Sequence, residues 1–226
     1  MRGDYHENLR QLAQLQQLIC LQDRAAIADA TQALVTADIE LAEAAIDTAA
    51  RVETMAQQAE QESIRLLTLQ APVASELRQV VTAIQLIGNL QRMGALAGHV
   101  AVSARRRHPD FVVADPVRPL ITRMGEAAVE IATSAAAVLE SGNPESAATL
   151  DAQDDAMDHL HEELLGLVLN PDWGYGVTAA VDLTLLGRYY ERFADNAVEV
   201  GRRTIFLATG ETADTWTPTD SEPASE

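Results

Sequence analysis

Leu90-Gln91-Arg92-Met93-Gly94-Ala95-Leu96-Ala97-Gly98-His99-Val100 and Tyr190-Glu191-Arg192-Phe193-Ala194-Asp195-Asn196-Ala197-Val198-Glu199-Val200 are one motif written twice, a hundred positions apart. The arginine, the small residue two places on, the alanine and the closing valine keep their places. Glu191 and Asp195 of the second copy stand as Gln91 and Ala95 in the first. In both copies the apolar residues recur at the three- and four-residue spacing of a helix with one buried face. A duplicated helix therefore keeps a carboxylate pair in one half of the chain and has lost it in the other.

Outward from this motif the same periodicity covers nearly the whole chain, and no period-2 strand pattern interrupts it. The spacing predicts helices over residues 4–35, 38–70 and 74–108, broken at Gln70-Ala71-Pro72-Val73, where proline removes a donor and pushes its neighbour out of helical geometry. Pro109 to Pro116 forms a connector, after which the plan repeats over residues 117–140, 144–169 and 177–209. Ser141-Gly142-Asn143-Pro144 reads as a stop and restart, and Gly210 as the final stop. The fold class is all-α: two similar antiparallel three-helix bundles, residues 1–108 and 116–210, each elongated because a helix of ~33 residues runs about 50 Å. Residues 211–226, rich in Thr, Ser, Pro and acids, are expected to be a disordered acidic tail.

Composition agrees. Of the 226 residues 47% are hydrophobic but only 4% aromatic, so Leu, Val, Ile and Ala must build the interior, as in helix-on-helix packing. The net charge is −18 and every base is arginine. Such a surface repels nucleic-acid phosphate, which excludes direct DNA binding as the expected role. Arg105-Arg106-Arg107 reads as the last turn of a helix, favourable against its dipole. The single cysteine, Cys20, sits in an apolar stretch and is expected to be a buried thiol, which fits a reducing compartment. The first residues carry no secretory pattern and no apolar run is long enough to span a bilayer, so the expectation is cytoplasmic.

The chemistry-bearing residues lie in the second half. Glu191 and Asp195 share one helical face, and Asp154 and Asp158 repeat the spacing on the preceding helix, with Asp151 and Asp155 adjacent. Asp154 falls on the core stripe between Leu150 and Met157, where an unpaired carboxylate is costly. Two readings stand. Four converging carboxylates suit a hard divalent cation or iron. Alternatively each acid is ion-paired, because Arg188 precedes Glu191 by three residues and Arg192 precedes Asp195 by three. Asp47 is taken as the first-half counterpart of Asp154, and Arg51 as that of Asp158, which with Gln91 and Ala95 leaves one carboxylate of four. No Gly-rich phosphate loop, Ser-His-Asp set or zinc spacing is present. A metal-dependent helical enzyme is the alternative function, but no nucleophile or general-base histidine supports it.

At this point the residues resemble the PhoU family of phosphate-transport regulatory proteins over residues 2–210. The resemblance rests on Met1-Arg2-x-x-Tyr5-His6, on Leu67-x-Leu69-Gln70-x-Pro72-Val73-Ala74-x-Glu76-Leu77-Arg78, and on the two copies of the duplicated motif. It implies a non-enzymatic protein of two three-helix bundles, often a homodimer, with acidic motifs that bind metal in some members. Matched residue by residue, the metal positions are Asp154, Asp158, Glu191 and Asp195, with Asp155 a further acid. The resemblance also implies cytoplasmic partners: the phosphate ABC transporter, through its ATPase subunit, and a membrane sensor histidine kinase. Members restrain uptake and keep the phosphate-starvation response off when phosphate is plentiful.

Overall fold

The computed structural model describes residues 2–218 and is all-α. Six long helices follow in order: α1 (Arg2–Thr36), α2 (Ile39–Gln70), α3 (Ser75–Arg107), α4 (Arg118–Ser141), α5 (Pro144–Val168) and α6 (Gly176–Thr209). A single 3₁₀ turn, Asp115–Val117, leads into α4. Their ends are set locally. Asp38 caps α2 by accepting from the backbone N–H groups of Glu40 and Leu41, at 2.9 and 3.1 Å. Gly142, at φ +63°, closes α4 in the left-handed conformation that costs glycine least. One residue later Asn143 caps α5 by accepting from Ser146 N–H at 2.7 Å, with Pro144 in the first turn, where it needs no donor.

The two bundles share one interior. Helices α1–α3 pack together, as do α4–α6, while α1 also lies against α4 and α3 against α6. The buried apolar residues form one cluster running through both halves. The α3/α6 pair is antiparallel: Asn89 donates to Asn196 at 3.2 Å, and His99 stacks on Tyr189. At one end of the pair Arg78 lies over the Phe206 ring, and at the other Arg106 and Arg107 both donate to the buried carboxylate of Asp182. Across α1 and α6 the hydroxyls of Thr31 and Tyr190 meet at 2.7 Å, and both residues are buried. The connector contributes too, because Val112 and Val113 are buried.

The segment after Gly210 departs from the expected free tail. Thr212 accepts from the backbone N–H groups of Thr215 and Trp216, closing a turn that presses Ala213 and Trp216 against the core. One tryptophan is enough apolar surface to hold a short polar segment down. The rest of the expected tail, residues 219–226, lies outside the described residues. Trp216→Ala is therefore expected to cost about 1–2 kcal/mol, lowering the thermal midpoint by roughly 2–8 °C. Calorimetry of the full chain checks this, and an unchanged midpoint would mean the turn is idle.

Candidate acidic site between α5 and α6

Helices α5 and α6 lie antiparallel, and their facing stripes decide what each carboxylate meets. Leu150, Met157 and Leu164 of α5 are buried, which places Asp154 at the margin of the core and leaves Asp158 exposed one turn on. On α6, Phe193 and Ala194 are buried, with Glu191 half-buried and Asp195 exposed beside them. Asp154 carries the strain of the arrangement. One of its oxygens, Oδ1, is buried without a hydrogen-bond partner. Burial first, and then the charges of Asp158, Asp195, Asp151 and Asp155, push its carboxyl up to about 6. Asp195 is raised as well, mainly by burial and then by Glu191, with Arg188 and Arg192 opposing. These mutual effects show that the structure gathers the carboxylates of both helices on one face.

The ion-paired reading accounts for one of the four. Arg188 donates to both oxygens of Glu191, whose Oε2 also stands 3.9 Å from His161 Nδ1. Arg202 pairs with the neighbouring Asp151 at 3.1 Å. Among the described residues neither Arg192 nor Asp195 forms an ion pair, and Asp154 has no hydrogen-bond partner on its buried oxygen. As the side chains stand, no three Asp, Glu, His or Cys groups among the described residues are close enough together to hold a metal ion.

The first half needs a correction. The buried residues Ala45, Val52 and Ala59 of α2 correspond to Leu150, Met157 and Leu164 of α5. On that register the counterparts of Asp154 and Asp158 are Ala49 and Glu53, not Asp47 and Arg51. α2 continues eleven residues past Ala59, to Gln70, whereas α5 ends four residues past Leu164, at Val168, so counting along the chain misplaces the match. One carboxylate of four still survives, but it is Glu53, and Gln91 donates to it at 2.8 Å in the place where Glu191 stands in the second half. An amide–carboxylate pair has replaced a carboxylate pair. Arg51 turns instead to the Thr48 hydroxyl.

Residues 22–104 and 121–204 each match the PhoU domain, so both halves are copies of the same unit. The chain belongs to the PhoU family. It is 49% identical over 210 residues to the phosphate-specific transport system accessory protein PhoU homolog 1 of Mycobacterium leprae (strain TN), covering 93% of this chain and 95% of that protein. It is also 49% identical to homolog 2 of Mycobacterium tuberculosis (strain ATCC 25618 / H37Rv), covering 93% of this chain and 99% of that one. The crystal structure of the phosphate transport system regulatory protein PhoU from Streptococcus pneumoniae superposes with a TM-score of 0.83 at 21% identity, covering 93% and 99% of the two chains. That of PhoU from Pseudomonas aeruginosa gives 0.81 at 19%, covering 93% and 100%. These two fix the fold. The protein is thus a PhoU-family accessory protein of phosphate transport, and the family is regulatory rather than enzymatic. No described helix is long and apolar enough to cross a membrane.

Sequence reasoning missed two features next to this site. His161 sits three residues after Asp158, yet only the packing of α5 on α6 brings it to Glu191. The clamp of Arg106 and Arg107 on Asp182 joins residues more than seventy positions apart, and no local pattern announces it.

Proposed function

We propose that this PhoU-family protein is a cytoplasmic adaptor that restrains phosphate uptake and holds the phosphate-starvation response off when phosphate is plentiful. Its partners are the phosphate ABC transporter, through the ATPase subunit, and a membrane sensor histidine kinase. The observation that carries the reading is similarity over 93% of the chain, at 49% identity, to proteins named as accessory to phosphate-specific transport. Charge supports it, since a chain at −18 must act through proteins and not on promoter DNA. Exposed apolar side chains support it as well: Leu69, Val73 and Leu77 at the α2–α3 end, and Leu169, Val177 and Val181 at the α5–α6 end. Such groups left in water at two hairpin ends suit docking to other proteins.

Asp154, Asp158, Glu191 and Asp195 are the residues proposed to hold a divalent or iron-type cation. The orphaned buried oxygen of Asp154 and the all-oxygen donor set fit a hard cation. When bound, the ion would supply the positive charge that offsets the crowding of carboxylates between α5 and α6. Glu191 would have to leave Arg188 to join it.

The regulatory reading is tested by deleting the gene in cells that also lack any related copy. Transporter transcripts are expected to rise in phosphate-rich medium, and removing the sensor kinase as well is expected to silence them. Unchanged transcripts after the first deletion would overturn the reading. Binding of purified protein to those promoters at physiological salt would overturn the adaptor mechanism.

A further inference from the structure

Among the described residues Asp23 is the one carboxylate with no exposed surface, and it lies in the first bundle, far in sequence from the acidic face. It sits on the buried stripe of α1 with Ile19, Ile27, Ala30 and Leu34. Neither of its oxygens has a hydrogen-bond partner. The space it occupies is bounded by Val52 of α2 and Gly94 of α3: a Cβ built on Gly94 would stand 2.8 Å from Asp23 Oδ1 and 2.5 Å from Val52 Cγ1. Room for the carboxyl therefore depends on a glycine.

The fold does not require an acid there. The burial pattern of α1 recurs in α4, with Asp23, Ile27, Ala30 and Leu34 matched by Met124, Ala128, Ile131 and Ala135. The second bundle fills the equivalent place with methionine, and Ala194 stands where the first has Gly94. On α1 itself the titratable groups flanking Asp23 are Cys20 and Arg24. Cys20, one turn before Asp23, is a thiol pushed up chiefly by burial; a charge on Asp23 would add to that, and Arg24 opposes it. No charge on α2, α3 or α4 acts on Asp23 among the described residues; burial alone pushes its carboxyl well above the usual range. An ionised carboxylate without a donor in such a place is far costlier than a neutral one.

We propose that Asp23 is a buried proton-binding site: its carboxyl is protonated in the folded protein, and release of that proton to solvent accompanies separation of α1 from α2 and α3. The same helix holds the halves together, since Cys20 donates through sulfur to the Ala132 carbonyl of α4 at 3.5 Å. Loosening α1 therefore loosens the contact between bundles. The sign follows from linkage. The folded state holds a proton that the unfolded state gives up near pH ~4, so this contribution to stability is complete below that pH and is lost as pH rises toward the raised value.

Urea unfolding of the full chain and of Asp23→Asn, from pH 5 to pH 9, tests this, because other titrating groups cancel in the comparison. The unfolding constant of the unaltered protein, divided by that of Asp23→Asn, is expected to climb by up to about tenfold per pH unit. A ratio constant within about twofold across that range would overturn the proposal, one proton being worth up to tenfold per unit. Should Asp23→Asn not fold, carbonyl-labelled aspartate in the unaltered chain decides by ¹³C NMR at pH 7.5. One carboxyl carbon at the protonated position supports the proton site, and a spectrum of ionised carboxylates alone sinks it.

Discussion

Gly201→Val is expected to cost roughly 3 kcal/mol and to lower the thermal midpoint by about 6–12 °C. A Cβ at Gly201 would stand 2.8 Å from the Ala147 carbonyl oxygen and 2.8 Å from Leu150 Cδ1, both on α5. The leucine tip can turn aside, but the carbonyl belongs to the helix backbone, so α5 itself must move off α6. The damage then spreads to the acidic face, which exists only because these two helices lie close. Gly88→Ala is the control: nothing lies within 4 Å of its built Cβ, and alanine in an exposed helix interior is expected to gain about 0.5–1 kcal/mol. Calorimetry on both variants checks the contrast. Equal midpoints would show that the α5–α6 approach is not what Gly201 serves.

Manganese or magnesium added at pH 7.5, at about a hundred times its dissociation constant, is expected to stabilise the protein by about 2.7 kcal/mol, or roughly 5–11 °C. Asp154→Asn and Glu191→Gln should each abolish most of that shift, because each removes an oxygen ligand from the proposed set. The pH dependence has a definite sign. The Asp154 carboxyl is raised to about 6, chiefly by burial, so without metal its contribution is present below the ordinary aspartate range and is lost as pH climbs through about 6. A cation competes with that proton, and its stabilising effect should therefore be larger at pH 7.5 than at pH 5.5. A midpoint that no divalent or iron salt moves would sink the metal site, as would an equal shift in Asp154→Asn.

Much of this was legible in the chain itself. The six helices fall within a few residues of their expected limits because the signals that end them are local: Asp38 and Asn143 as caps, proline at 72 and 144, glycine at 142 and 210. The duplicated motif gave the repeat, and its residues gave the family, which the two PhoU-domain matches then established. The asymmetry of the carboxylates was also visible, since it needs only residue identities at matched positions.

Other features depended on distances that no local pattern records. The match of α2 to α5 rests on which side chains are buried, and because α2 runs further past the matched residues than α5 does, the counterparts are Ala49 and Glu53 instead of Asp47 and Arg51. Glu191 turned out to be held by Arg188, while the buried oxygen of Asp154 was left bare. Composition marked residues 211–226 as too polar to fold, yet Trp216 found a place against the core. Helix formation, capping and periodicity are settled among residues a few positions apart, so the sequence by itself determined the elements, their duplication and the family. Register, burial and pairing arise where helices distant in the chain meet, so only the tertiary structure decided that α1 joins α4 and α3 joins α6, that Asp23 loses every contact with water, and which acids lie together.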